Sequence, residues 1–418
     1  MDLDTLIQLH NKGKYRILIA ECEKLIRLRD QKPEIINLLG VAYKNLKCPD
    51  EALKVFQRGI NEYPLSGAIW GNLGNLYLQQ GKLEEAKKTL KKAIQINPDM
   101  KTFHDNLGLV FLEMGQLEKA CDEFEAALQI APKDIKTKLN LAHAHRKLNN
   151  LPKAIEYFEE IDQGLSQSHL TECLYLDGQN KKLLKKIEKF GNSKVSDPLI
   201  GAVTEHSRVT LNHSFCNSFC SRPLSYIYRA NINNSGTAEK TFKDIEKFAY
   251  SKTCDYKSQS LLINGTQTSG NLLNLNEPFV KPLSGIIDKL VKAYRNKFKQ
   301  SEEPFIKYWP NEYSIYAWIV LIQSKGFLKP HIHKEGWVSG SIYLKIPKRE
   351  LKNEGAISFG LHGADYPKKD SNFREFPVEI SERMVCMFPS SLFHKTVPTR
   401  SMKDRLSLAF DVIPNREI

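Results

Sequence analysis

Small, aromatic and proline positions return every 34 residues through the first third of the chain. Gly40, Gly74 and Gly108 form one series; Ala52, Ala86 and Ala120 form another. Tyr43, Tyr77 and Phe111 keep the same period, as do Phe56, Leu90 and Phe124, and Pro64, Pro98 and Pro132 close each unit. The pattern predicts a pair of helices per period. The small residues let the two helices approach closely, the aromatic and leucine positions fill the seam, and the proline ends the second helix. Residues 33–66, 67–100 and 101–134 are complete periods. Residues 135–168 keep Ala142, Ala154 and Phe158 but lack the closing proline, and 1–32 read as a partial unit or cap. Leu183, Leu184, Ile187 and Phe190 carry helical spacing onward, and Asn192-Ser193 and Asp197-Pro198 are turn signals that suit a boundary.

This pattern is identified as a tetratricopeptide repeat. The resemblance implies a superhelical solenoid whose concave face takes peptides or partner proteins. The expected concave positions include Asn37, Val41, Lys44, Asn75, Leu78, Asp105, Leu109, His143 and Arg146. They are mixed in character and do not form a dense basic clamp for a terminal carboxylate. A scaffold or dimerisation role with no peptide in the groove remains open.

From Arg208 the periodicity shortens. A strand is expected at 224–228, a helix at 241–251 with Phe242, Ile245 and Phe248 inward, and an amphipathic helix at 282–298. The run Leu261 to Leu272, with Gly265 and Gly270, reads as a loop lying close to something: either the mouth of a site or a plain turn. Strands follow at 314–321, 338–346, 355–361, 384–388 and 405–412.

Side chains two apart on a strand share a face. His331 and His333 can therefore offer two imidazoles to one metal ion, with His394 completing a facial set if its strand lies alongside. Imidazole suits iron, zinc, copper and nickel. Arg405 is a fixed cation suited to gripping a carboxylate in a bidentate fork, and Ser407 shares its face. Taken singly, each motif also arises by chance on an alternating strand. A structural zinc site is disfavoured, because no cysteine pair lies at ligand spacing nearby.

Together these residues resemble the 2-oxoglutarate/Fe(II)-dependent oxygenases, nearest their prolyl-hydroxylase-like branch, over roughly the last 200 residues. That family carries His-x-Asp/Glu, a Tyr-Leu strand, a Gly-rich bend, a distal His and then Arg-x-Ser. The resemblance makes His331 and His394 metal ligands, with Arg405 and Ser407 holding the far carboxylate of 2-oxoglutarate. Tyr343 becomes a candidate further contact, although a packed strand tyrosine fits as well. His333 stands where the family has a carboxylate. Three histidines can hold the metal, two can suffice, or Glu335 can supply the missing group. The implied cofactors are Fe(II), 2-oxoglutarate and O2, and the implied activity is hydroxylation of a C–H bond in a protein or peptide recruited by the repeats. No catalytic residue is expected beyond the metal site. The alternatives are a cupin-type barrel, which also uses His-x-His and a distal His but has no use for Arg-x-Ser, and a non-enzymatic adaptor with an inactive barrel.

The expected architecture is α+β and multidomain. An all-α tetratricopeptide solenoid spans 1–168, a helical cap and linker 169–207, and a double-stranded β-helix (jelly-roll) with supporting helices 208–418. A length of 418 residues accommodates this. No stretch of about 18 apolar residues predicts a membrane span, and Met1-Asp2-Leu3-Asp4 does not open an export signal. The eight cysteines are scattered, with no Cys-x-x-Cys pair, as in a reducing, cytoplasmic compartment. The net charge of +13 is spread over solvent-facing lysines such as Lys87, Lys88, Lys91 and Lys92. Without interleaved aromatics it argues against nucleic acid as a partner.

Overall fold

The computed structural model describes residues 2–28, 32–161, 164, 166–193, 196–232, 236–349, 351–368 and 373–415. The expected cap, fourth repeat and linker include Met1, 29–31, 162–163, 165 and 194–195, which lie outside the described residues. The chain divides into two compact units, Met1–Gln167 and Ser168–Ile418.

The first unit is a series of antiparallel helix pairs, beginning with Leu3–Asn11 and Tyr15–Arg27 and continuing through Pro33–Asn45 with Pro49–Glu62, Gly67–Gln79 with Leu83–Ile96, Lys101–Glu113 with Leu117–Ile130, and Ile135–Lys147 with Leu151–Ile161. Pro64, Pro98 and Pro132 each fall just past the second helix of a pair. The periodic glycines sit where backbone meets ring: a Cβ on Gly108 would lie 2.6 Å from the Phe124 ring. On the first helices of successive pairs, polar side chains join one repeat to the next. Lys44 donates to Asn75 at 3.2 Å, Asn72 to Asn37 at 2.8 Å, and Thr137 to Asp105 at 2.7 Å.

The second unit opens with the helices Ser166–Leu176, Asn180–Gly191 and Pro198–Thr210. The stretch 169–207, expected as a cap and linker, falls within this unit. Every residue from Pro198 to Ser207 is buried. A helix buried all round has no polar stripe to advertise its place.

Among the described residues ten strands follow: β1 (Tyr228–Asn231), β2 (Tyr256–Lys257), β3 (Leu262–Thr268), β4 (Tyr313–Leu328), β5 (Val338–Lys345), β6 (Ile357–Gly360), β7 (Phe376–Val378), β8 (Met384–Pro389), β9 (Phe393–Thr396) and β10 (Arg405–Pro414). They form two antiparallel sheets, in the orders β1-β8-β5-β10-β4-β3-β2 and β7-β6-β9. The chain passes between the sheets as a double-stranded β-helix does, and a backbone bridge from His331 to His394 extends the smaller sheet beyond β9. The unit completes the α+β, multidomain architecture.

Alternation along the central strands separates two environments. Leu406, Leu408, Phe410 and Val412 of β10, with Ala317, Ile319 and Leu321 of β4, pack on one core. Phe242, Ile245, Leu283, Ile287, Val291 and Tyr294 from the helices Gly236–Ala249 and Val280–Phe298 complete it. The intervening residues face the inside of the double sheet. Two expectations change. Residues 223–226 form a 3-10 turn opened by Pro223, so the strand begins at Tyr228. The run from 262 to 268 is a strand and not a loop, with a bulge between Ile263 and Gly265. A Cβ on Gly265 would lie 2.8 Å from the Leu321 carbonyl, so its glycine marks close strand approach.

Candidate metal centre

Register fixes the inner face of the larger sheet. Arg405, Ser407, Ala409 and Asp411 of β10 pair with Ile322, Val320, Trp318 and Tyr316 of β4. On the other side, Ser407 lies beside Tyr343, Ala409 beside Ser341 and Asp411 beside Ser339 of β5. All of these residues except Ser339 line one cavity of about 400 Å³, together with His331, His333 and His394. His394 lies on β9. His331 bonds it through both backbone groups, N–H to carbonyl at 3.1 and 3.0 Å. His333 N–H then donates to the Ser390 carbonyl at 3.2 Å, which carries the turn toward β5.

The ligating nitrogens of the three histidines lie within 4.8 Å of one another, and Nε2 of His331 and His333 are 3.2 Å apart. Each ring presents Nδ1 to an acceptor: the Lys329 carbonyl at 2.8 Å for His331, the Leu392 carbonyl at 3.2 Å for His394, and Asp411 Oδ1 at 2.6 Å for His333. Donation from Nδ1 leaves Nε2 as a lone pair on each ring. Burial pushes the His331 imidazole down to about 3, with the neighbouring His333 adding to the effect. Burial first, and then His331 and His333, hold His394 well below its ordinary value. Burial disfavours a proton on these rings, and the placement of their nitrogens suits a metal ion. With metal–nitrogen bonds of about 2.1 Å, ligands at right angles sit about 3.0 Å apart, close to the His331–His333 separation. Glu335 is exposed at the cavity rim and is not part of this group.

Arg405 is 5 % exposed. Nη1 donates to the Gly355 carbonyl at 2.9 Å, the guanidinium lies 5.2 Å from the Tyr343 ring centre, and Nε has no hydrogen-bond partner among the described residues. No carboxylate pairs with it among the described residues. Burial pulls it below its ordinary value, against some support from Tyr343. Tyr343 is fully buried, and burial pushes its phenol up. A buried cation with a spare donor and no acid among the described residues has the chemistry to accept an anion. Ser407 stands two residues away on the same face, 5 % exposed.

The sequence reading missed Asp411, Ser339 and Ser390. Asp411 had a signal, since it is six residues beyond Arg405 and shares its face. Ser339 and Ser390 had none. Trp318 was read as strand without a role; its ring centre lies 5.6 Å from that of His333, and Tyr316 stands beside it at 5.9 Å. Gln259 and Gln267 complete this wall.

Residues 316–411 match the family described as "Putative 2OG-Fe(II) oxygenase". Ahead of them, residues 74–115 match a "TPR repeat" family, and 55–88 and 111–165 match two "Tetratricopeptide repeat" families. These matches are those of a tetratricopeptide–oxygenase fusion. Among solved structures, the fusion is similar to a crystal structure of MamA, with 21 % identity and a TM-score of 0.35 over 44 % of this chain and 97 % of that one. It is similar to MamA from Desulfovibrio magneticus RS-1, with 20 % identity and a TM-score of 0.35 over 38 % and 89 %. The Pseudomonas aeruginosa pilF structure gives 17 % identity and a TM-score of 0.41 over 45 % and 88 %. No curated protein matches the chain. No helix among the described residues is long and apolar enough to cross a membrane.

Proposed function

We propose that the second unit is an Fe(II)- and 2-oxoglutarate-dependent dioxygenase that hydroxylates a C–H bond in a protein or peptide recruited by the repeats. The observation that carries this reading is Arg405, a buried cation without an acidic partner among the described residues, in the cavity that gathers three imidazoles. A metal barrel that bound only a metal would have no use for that charge.

In this reading His331, His333 and His394 hold Fe(II) through Nε2, each oriented by the acceptor on its Nδ1. Arg405 and Ser407 grip the far carboxylate of 2-oxoglutarate. Tyr343 supports the guanidinium from beneath. Ile357 and Phe388 keep water from the walls around it. Bound iron would supply O2 activation coupled to decarboxylation: substrate C–H, O2 and 2-oxoglutarate give substrate C–OH, succinate and CO2. Tyr316, Trp318 and the two glutamines form the wall against which a substrate would lie. Tetratricopeptide arrays characteristically bind proteins, which supports a macromolecular target.

The test is metal content together with succinate formation from 2-oxoglutarate. Wild-type protein should bind one Fe(II) per chain and release succinate slowly without substrate. His331→Ala and His394→Ala should lose both while keeping their helical content by circular dichroism. Full metal occupancy in the double variant would remove this site; metal binding without any turnover of 2-oxoglutarate would favour the cupin-like or adaptor reading.

A further inference from the structure

The three imidazoles are not equivalent. His331 and His394 direct Nδ1 to neutral backbone carbonyls, whereas His333 directs it to a carboxylate. We propose that Asp411 is a positioning residue that supplies the metal centre with its negative charge through His333, in place of a carboxylate bound directly. This rests on the dioxygenase reading of the site.

Asp411 Oδ1 accepts two short hydrogen bonds, from His333 Nδ1 and from Ser339 Oγ, both at 2.6 Å. Ser339 Oγ in turn lies 2.7 Å from Ser390 Oγ. With Ser339 committed to Asp411, Ser390 is the donor in that contact. The chain of donors runs Ser390 to Ser339 to Asp411, and an oxygen receiving both a hydroxyl and an imidazole N–H has the acceptor character of a carboxylate. Ser339 and Ser390 are buried, and the His333 and Asp411 side chains are only 14 % and 12 % exposed. Among the described residues Asp411 pairs with no lysine or arginine, so His333 is the group toward which its charge is directed.

The backbone is shaped around this network. Asp411 lies on the central strand β10, paired with Ser339 on one side and Tyr316 on the other. Gly336 passes directly over it: a Cβ there would lie 2.7 Å from Ser390 Oγ and 3.1 Å from Asp411 Cγ. The His-x-His turn can close over the carboxylate because that position has no side chain. A carboxylate on Nδ1 fixes the tautomer and makes Nε2 a stronger donor, and losing such a partner typically weakens metal binding about 10- to 100-fold. No carboxylate stands among the three candidate ligands, but one stands directly behind His333.

The experiment measures Co(II) affinity by calorimetry and by the visible Co(II) spectrum, without 2-oxoglutarate, in four full-length proteins: wild type, Asp411→Asn, His333→Asp and His333→Asp/Asp411→Asn. Asparagine keeps an acceptor for Nδ1–H but no charge. Asp411→Asn should weaken Co(II) binding by about 10-fold or more. In the His333→Asp background the same change should have no effect or improve affinity, because the carboxylate then binds directly. An Asp411→Asn affinity within twofold of wild type, or an equal loss in both backgrounds, overturns the proposal in favour of a structural aspartate. Nitrogen-15 NMR of histidine-labelled, metal-free wild type is independent of any variant's folding. His333 should carry its proton on Nδ1, and an Nε2–H tautomer overturns the proposal. Wild type that binds no Co(II) or Fe(II) removes the dioxygenase reading and this one together. Metal binding with no succinate formation removes the dioxygenase reading alone, and the affinity ratio still decides the role of Asp411.

Discussion

Lys334, set between His333 and Glu335 in the chain, holds both carboxylate oxygens of Glu172 at 2.8 Å. Glu172 is 1 % exposed and also accepts from the Tyr366 hydroxyl at 3.3 Å. The pair ties the helix Ser166–Leu176 to the turn that carries two of the three imidazoles. Breaking a buried ion pair costs roughly 3–5 kcal/mol. Lys334 is about a third exposed, so the cost here belongs at the low end of that range. The two sides are unequal. Lys334→Met takes the cation away from a carboxylate that is 1 % exposed, whereas Glu172→Gln leaves a lysine that is about a third exposed and can reach water. Calorimetric unfolding should show the larger loss for Lys334→Met, and metal affinity should fall in both as the turn loosens. Equal and negligible losses would mean that the pair holds nothing.

In the repeats, the seam predicts intolerance of even one methyl group. Gly108 and Gly74 face Phe124 and Leu90, and a Cβ at either would lie 2.6 Å from the facing side chain. Alanine gains about 1 kcal/mol of helix propensity over glycine, but overpacking costs about 1–3 kcal/mol. Gly108→Ala should therefore lower the melting temperature of the full chain, and Gly108→Leu should lower it further. Stabilisation by alanine would show that propensity outweighs packing in this seam.

His206 predicts an acid limb of stability. It is buried against Phe373, Tyr366 and Phe393, with Tyr175 Oη 2.5 Å from Nδ1 and His362 Nδ1 2.9 Å from Nε2. Thr210 hydrogen-bonds Tyr175, and Lys368 and Glu375 act on His362 with opposite sign. Burial, with His362 second, pushes His206 down to about 3. The unfolded chain takes up that proton at about 6.5. Between these values the unfolded state binds more protons, so stability rises with pH across the window. The contribution is complete above about 6.5 and is lost as pH falls toward about 3. His331 and His394 share this limb, so the informative quantity is a difference. With chelator present, His206→Phe should lose less stability than wild type between pH 6.5 and 4. Parallel curves would show that His206 is not held neutral by the fold.

Much of this molecule could be read from its residues because periodicity survives wherever an element has one buried face. The 34-residue period carried the helix pairs, and alternation carried β4, β5 and β10. His331, His333 and His394 stood out because strand parity puts residues two apart on one face. The reading failed where a local signal had two meanings. Gly265 looked like a loop glycine and is a paired strand residue just past a bulge, pressed on the Leu321 carbonyl. Asp411 was hidden in an apolar strand, and its contact with His333 crosses 78 residues of sequence. Only the register of β10 against β5 reveals that Ser339 joins them.

Arg405 carries the prediction that separates an oxygenase from a metal barrel of another kind. Its guanidinium is buried and has no acidic partner among the described residues, with Nε unbonded. Such a charge is costly until an anion arrives. Two opposite effects of Arg405→Ala therefore follow. Without 2-oxoglutarate, removing an uncompensated buried charge should leave the melting temperature unchanged or raise it, against the small loss of one hydrogen bond to the Gly355 carbonyl. With the metal-loaded protein, the co-substrate's far carboxylate would be buried without its partner, a loss of roughly 3–5 kcal/mol, or about several hundredfold or more in affinity. Arg405→Lys should recover only part, because a point charge cannot reproduce the planar fork. Metal affinity should be untouched in both variants. Calorimetric titration of 2-oxoglutarate into metal-loaded wild type and Arg405→Ala decides the matter: equal affinities, or no binding to wild type, would leave Arg405 without a ligand and the oxygenase reading without its main support.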